Sequence, residues 1–239
     1  MTERLSQGAV LVAGGTGELG RAVSRAFLDE GAVVIVTYRK QEELDALLKD
    51  AAANGVRLEG QRVDVTDETA MIELVRGIVA KHSRLAAVIN TVGGYAGGVK
   101  LWESETQTLE SMLALNLRSG FALARAAIPV MLGQRYGSFV NVAAKAAIEH
   151  PAGAAAYAAS KAAALAMMDS LAAELMGTGV HVNSVLPSII DTEANRRAMP
   201  KADSSKWPKP AEIARVIRFL CSDDAAVVHG ASIPVYGAR

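Results

Sequence analysis

The chain has 239 residues, 51% of them apolar and only 5% aromatic, which suits one α/β domain with a large buried core. Alanine, valine, leucine and glycine dominate, favouring a parallel sheet under closely packed helices over a sandwich or a disulfide scaffold. Acidic and basic residues balance at 25 each, so charge gives no case for a nucleic acid or an anionic membrane as partner.

Strand-like and helix-like segments alternate along the chain. Ala9–Ala13 is an apolar strand that runs into glycines, and Glu18–Glu30 is a helix closed by Gly31. Val33–Thr37 is a β-branched strand, followed by a charged helix over Gln41–Ala53. Arg57–Val65 reads as a third strand, Asp67–His82 as a helix capped by Thr66 or Asp67, and Leu85–Asn90 as a fourth strand. The rhythm continues with helix Leu109–Leu132, strand Ser138–Ala143, helix Ala154–Met176 and strand Val180–Leu186. Asp191–Pro208 is polar and irregular and is expected to form a mobile substrate lobe. Helix Ala211–Cys221 and a short strand, Ser232–Val235, end the pattern. Helices between buried strands require right-handed crossovers, which predicts a doubly wound, Rossmann-type parallel sheet flanked by helices in a single domain. Such sheets bind ligands beyond the carboxyl ends of their strands.

Cys221 is the sole cysteine, so no intramolecular disulfide can form and a reducing compartment fits. Met1–Gln7 is polar with both charge signs, and no apolar run reaches membrane-spanning length, so the expected compartment is the cytoplasm. His82, His150, His181 and His229 are scattered without ligand spacing, and no metal site is expected.

The first strand meets the first helix through Gly14-Gly15-Thr16-Gly17-Glu18-Leu19-Gly20. In this setting Gly14 allows a sharp turn, Gly17 lets backbone approach a pyrophosphate, and Gly20 lets helix pack on strand. The helix N-terminus, with Glu18 and Leu19, then offers free N–H groups to the anion. The second strand ends in Thr37-Tyr38-Arg39-Lys40, with cations where an acidic residue would hold the ribose of NAD. Arg39 and Lys40 therefore favour NADP, with NAD possible; solvated charges at a helix start are the plainer alternative. Asp64 and Val65 either border the adenine or simply lead into the next helix.

Tyr157 and Lys161 lie one helical turn apart on the same face. A free phenol ionises near pH 10, and a neighbouring ammonium brings it towards useful acid–base behaviour. With this pair, the glycine loop, Leu115-Asn116-Leu117, Val182-Asn183-Ser184-Val185-Leu186-Pro187 and the Gly230–Gly237 segment in order, the chain resembles the short-chain dehydrogenase/reductase family over nearly its whole length. That resemblance implies an NAD(P)H-dependent oxidoreductase that moves a hydride between a nicotinamide cofactor and a small carbonyl or conjugated C=N substrate. It implies Tyr157 as general acid/base, Lys161 as the group that lowers its pKa and holds the nicotinamide ribose, and Asn116 as the residue positioning a relay water. Asn90 and Gly93 after the fourth strand, and Pro187, Ile190 and Thr192 after the sixth, would flank the cofactor. The resemblance also implies a homo-oligomer, dimer or tetramer, through the alanine-rich helix around Tyr157, whose small residues serve equally for packing inside the domain.

Three departures stand out. Glu18 replaces the family's usual middle glycine, Asn90-Thr91-Val92-Gly93 replaces Asn-Asn-Ala-Gly, and Ala144 stands where the family has its catalytic serine. Losing such a donor costs on the order of 10²–10³ in rate. Val92–Gly98 and Ala144–Ala147 are similar to the dihydropteridine reductase branch, which also lacks the serine and reduces a conjugated C=N system. A dihydropteridine-reductase-like enzyme is therefore one alternative, and a non-catalytic nucleotide-binding regulatory protein is another. Tyr95 and Trp102 either wall a substrate pocket or pack within their loop.

Overall fold

A computed structural model describes residues 8–52 and 57–237. The polar Met1–Gln7 segment and Ala53, the predicted last residue of the second helix, lie outside them. Seven parallel strands form one sheet in the order β3-β2-β1-β4-β5-β6-β7. They are β1 (Ala9–Ala13), β2 (Val33–Tyr38), β3 (Leu58–Arg62), β4 (Leu85–Asn90), β5 (Gly137–Val142), β6 (Val180–Pro187) and β7 (Ser232–Val235). The order reverses between β1 and β4, and the crevice of a doubly wound sheet opens at that point.

The central strands are buried on both faces, which explains their continuous apolar runs. Alternate residues feed two cores. Val10, Val12, Val34, Val36, Ile89 and Val140 pack with Phe27 of α1 (Glu18–Leu28) and Leu44 of α2 (Gln41–Ala52). Leu11, Ile35, Val88, Phe139 and Val182 face Met71 of α3 (Glu68–His82) and the chain's later long helices. A helix starts with α4 (Thr106–Leu113), passes through a π-turn over Ala114–Arg118 and continues as α5 (Ser119–Gln134). Beyond the one-turn α6 (Ala146–Glu149), α7 (Ala155–Glu174) carries the tyrosine and lysine. It buries Ala158, Lys161, Ala164, Leu165 and Met168, while Ala159 and Ala166 are exposed.

The structure departs from the sequence reading in two places and decides one alternative it left open. β3 ends at Arg62 rather than Val65, because the Asp64 carboxylate accepts the Thr66 backbone N–H (2.9 Å) and hydroxyl (2.8 Å) and turns the chain. Asp67, not Thr66, caps α3 by accepting the Ala70 N–H at 3.0 Å. The 191–208 segment is not irregular throughout: it contains α8 (Glu193–Ala198) and a 3₁₀ turn over Ser204–Lys206. Thr192 caps α8, and Asp191 holds Arg196 in a two-pronged ion pair. The last helix, α9 (Pro210–Leu220), packs on α1. Among the described residues, no helix is long and apolar enough to cross a membrane.

Candidate active site

The glycine loop forms the near wall of the crevice. Gly14 takes φ +75°, a left-handed conformation that glycine adopts without strain, and its N–H donates to the buried Thr37 hydroxyl at 2.9 Å. That bond ties the loop to the end of β2, and sequence reading missed Thr37, whose one signal is a polar residue ending an apolar strand. A Cβ on Gly20 would lie 2.1 Å from the Gly14 carbonyl oxygen, so this glycine is fixed by backbone packing. Gly17 differs: a Cβ there meets nothing nearer than 3.5 Å. Gly17 is also the N-cap of α1 and has no side chain to satisfy the helix's first N–H groups. An open glycine over an uncapped helix start fits the pyrophosphate of a dinucleotide. Thr16 is buried, and its hydroxyl donates to Glu43 Oε2 at 3.0 Å. Leu19 is buried in the core below the loop.

Glu18 points away from this anion cradle. Its carboxylate accepts the backbone N–H of Glu193 at 2.9 Å and of Ala194 at 3.4 Å, holding the first turn of α8. The residue that replaces the usual middle glycine thus ties the phosphate loop to the 191–208 lobe.

Just beyond β2, Arg39 and Lys40 are exposed. Lys40 lies 3.5 Å from Glu43, and Tyr38 donates its hydroxyl to Gln41. Thr66's N–H and hydroxyl hold the Asp64 carboxyl below its usual range, with a smaller contribution from the nearby Arg39 guanidinium. Asp64 and Arg39 therefore share one rim of the crevice, whereas Val65 is buried among core side chains.

Tyr157 and Lys161 stand on α7 across the crevice. Burial pushes the Tyr157 phenol up to about 12 and the Tyr95 phenol adds to the shift, so the lowering expected from Lys161 is overturned: desolvation outweighs the ammonium. Burial pushes the Lys161 ammonium down to about 8. Its Nζ donates to the Val142 carbonyl at 2.9 Å. A Cβ on Gly93 would fall 2.9 Å from Asn116 Oδ1 and 3.1 Å from Lys161 Nζ, so Gly93 lets these two groups approach under the loop.

Asn116 sits in the π-turn, a local widening common at functional sites. Its side chain exchanges hydrogen bonds with both backbone groups of Gly94 (2.9 and 3.1 Å) and donates to Ser160 Oγ at 2.9 Å. Ser160 in turn donates to the Tyr157 carbonyl at 2.8 Å. Sequence reading did not single out Ser160, although its place between Tyr157 and Lys161 was visible. The Asn90 side chain is not in the crevice: it is buried and bonded to Asn141 and Ser119, leaving only its backbone near a ligand.

Ala144 is buried just beyond β5, and the next N–H, of Lys145, donates to the Pro187 carbonyl. Pro187 is therefore held by the β5–β6 connection. Ile190 packs against the first core while its carbonyl accepts Asn195 Nδ2, and Thr192 faces the same end of the crevice as the α8 cap. The Lys145 ammonium is engaged by Glu149 at 3.0 Å and lies over the Tyr236 ring. Tyr95 packs edge-on against Tyr157, with ring centroids 5.0 Å apart. Trp102 is 80% exposed and touched by Lys100, so it forms no wall of the crevice.

The short chain dehydrogenase family profile matches residues 8–203. A 3-oxoacyl-[acyl-carrier-protein] reductase from Thermotoga maritima is 31% identical over 242 residues, covering 98% of each chain. Meso-2,3-butanediol dehydrogenase from Serratia marcescens is 28% identical over 98% of this chain and 95% of its own. Among solved structures, that of gox2181 superposes with a TM-score of 0.91 at 27% identity, covering 98% of this chain and 95% of that one. The chain belongs to the short-chain dehydrogenase/reductase family of oxidoreductases.

Proposed function

We propose that this protein is an NADP-preferring reductase of small carbonyl or conjugated C=N compounds, acting in the cytoplasm as a homo-oligomer. The observation carrying the reading is one crevice with an open anion cradle at Gly17 on one wall and Tyr157 with the buried Lys161 on the other. When bound, a nicotinamide cofactor supplies or takes the hydride. Gly14, Gly17 and the N–H groups at Glu18 and Leu19 hold its pyrophosphate, and Arg39 and Lys40 meet the 2′-phosphate. Arg39 is the stronger of the two cations, because Lys40 is already partly neutralised by Glu43.

Tyr157 gives its proton to the substrate atom that receives the hydride. A phenol is neutral at pH 7 with or without burial, so Tyr157 has a proton to give in the reducing direction, while the burial that raises it makes it the weaker acid. Lys161 is an ammonium held within the protein, and its charge favours the phenolate left behind. Asn116 acts through the chain: its grip on Gly94 and Ser160 sets the position of the Tyr157 turn.

A second reading concerns the substrate. Ala144 offers no hydroxyl at the family's serine position, which favours a dihydropteridine-reductase-like chemistry, in which a conjugated acceptor spreads charge away from that point. The test is cofactor oxidation with phenanthrenequinone, ethyl acetoacetate and a quinonoid dihydropterin, using wild type and Tyr157→Phe. We expect the variant to lose about 10²–10⁴-fold in turnover with unchanged cofactor affinity. Wild-type turnover in the variant would remove Tyr157 from the mechanism.

A further inference from the structure

Among the described residues, Tyr95 is the one aromatic ring that packs against Tyr157. The two rings meet edge to face at an interplanar angle of 73°. The Tyr95 hydroxyl lies against Gly97, where a Cβ would come within 2.2 Å of the phenol oxygen. The loop is pinned to the start of α7, since Gly98 N–H donates to the Gly153 carbonyl at 2.8 Å. Glycine at 97 is thus a steric condition for this ring position. Despite that placement Tyr95 is 69% exposed, and no residue described in the structure hydrogen-bonds its hydroxyl. The same is true of the Tyr157 hydroxyl. The ring also borders a cavity of about 470 Å³ lined by Val99, Leu101, Thr108 and Ala156.

Two serine hydroxyls, of Ser160 and Ser188, are committed. Ser160 Oγ donates to the Tyr157 carbonyl and accepts from Asn116. Ser188 Oγ donates to the Tyr236 carbonyl. Lys145 is drawn off by Glu149. A substrate atom approaching Tyr157 therefore meets one uncommitted phenol beside it and no hydroxyl at Ala144.

We infer that Tyr95 is a second substrate-contacting donor, supplying from the loop after β4 the hydrogen bond that Ala144 cannot give. Its O–H stays intact throughout. It donates to the acceptor oxygen or nitrogen while the hydride arrives at the adjacent carbon and the Tyr157 proton moves to that same heteroatom. The Tyr95 field on the Tyr157 phenol agrees with this closeness. A bound substrate would also cover the exposed face of Tyr95, an arrangement that favours flat, partly apolar acceptors. This inference rests on Tyr157 being the acid of the proposed reaction.

The test uses Tyr95→Phe, which keeps the ring contact and removes only the donor, with phenanthrenequinone and ethyl acetoacetate as probes. Tyr95→Phe should lower kcat/KM by about tenfold to a hundredfold and leave cofactor affinity unchanged. Ala144→Ser should then restore more activity in the Tyr95→Phe background than it adds to wild type, because the two hydroxyls serve the same atom. Wild-type kcat/KM in Tyr95→Phe, or an equal gain from Ala144→Ser in both backgrounds, would overturn the inference. Tyr157→Phe separates the two levels. If it is inactive while Tyr95→Phe is normal, only the Tyr95 role falls. If Tyr157→Phe turns over normally, the underlying mechanism falls with it.

Discussion

The two walls of the crevice are built in different ways. The wall proposed to face the cofactor is mostly backbone: Gly14, Gly17 and Gly20 shape it, and the Thr37 hydroxyl ties it to the neighbouring strand. The wall proposed to face the substrate is mostly side chains drawn from separate segments, with Tyr95 after β4, Asn116 in the π-turn, Ala144 after β5, and Tyr157 and Lys161 on α7. Backbone walls tolerate little change because an added Cβ meets main chain. Side-chain walls can be re-equipped, so a lost hydroxyl at one position can be replaced from another. The chain's departures from its family fit this contrast. Glu18 enters the cofactor wall only by turning outward to α8, whereas Ala144 sits inside the substrate wall.

The sharpest test of that contrast lies within the glycine loop. In Gly20→Ala the new Cβ would lie 2.1 Å from the Gly14 carbonyl oxygen, neither end of which can yield without moving the strand–helix joint. We expect a loss of about 3 kcal/mol or more, read as a large fall in Tm or as insoluble protein. Gly17→Ala has φ −69° and nearest contact 3.5 Å, both acceptable to alanine. It should keep its Tm, changing stability by less than about 0.5 kcal/mol. Its methyl would nonetheless stand where a pyrophosphate must approach, so cofactor affinity should fall at least about tenfold. Normal cofactor titration in Gly17→Ala would show that the cradle is not used.

A smaller effect is expected at the adenosine rim. Arg39→Asp replaces attraction to a 2′-phosphate by repulsion, in a position already beside Asp64. Both groups face solvent, so screening limits the swing in NADP-to-NAD preference to roughly tenfold or somewhat more. Side-by-side titration of the two cofactors measures it. A wild type that already prefers NAD would refute the reading of Arg39 and Lys40.

Most of the cofactor wall was legible in the sequence because glycine spacing after a strand has few structural meanings. The seven strands and the order of the helices were legible for a similar reason: buried parallel strands are continuous apolar runs. Helical spacing put Tyr157 and Lys161 on one face of a helix, and the place of that helix after the fifth strand of a glycine-loop chain made the spacing informative. Contacts between distant segments were not legible. Nothing in Glu18 announces a bond to Glu193, and nothing in Asn90 announces that its amide turns inward to Asn141. Helix α8 could have been anticipated from Thr192 and Glu193 as cap and first-turn acid, but the neighbouring prolines and charges hid it. Tyr95 was ambiguous because its role depends on a ring 62 positions later in the chain, brought to it only by the fold.

The last expected effect is read across pH, at the buried ammonium that lies under Gly93 and beside Asn116. Lys161 titrates near 8 in the folded protein against an ordinary value of 10.5. Below 8 the folded and unfolded chains both carry the proton, and the folded state bears the full cost of burying the charge. As pH rises through 8 towards 10.5, the folded protein releases that proton before the unfolded chain does, so the cost fades and stability rises. Lys161→Met has no such group. The Tm of Lys161→Met minus that of wild type should therefore be most positive near pH 7 and decrease steadily towards pH 10, whatever constant offset the unpaired Val142 carbonyl adds. The raised Tyr157 value works in the opposite direction, but only above its ordinary 10, and it is common to both proteins. The same proton should govern catalysis: reduction ought to fall on an alkaline limb beginning near 8, because the neutral amine no longer favours the phenolate left by proton donation. Thermal unfolding across pH and a kcat/KM profile thus report one group by independent readouts. A flat Tm difference together with a limb near 10 would mean that Lys161 keeps its proton up to its ordinary value and that its burial does not penalise the charge.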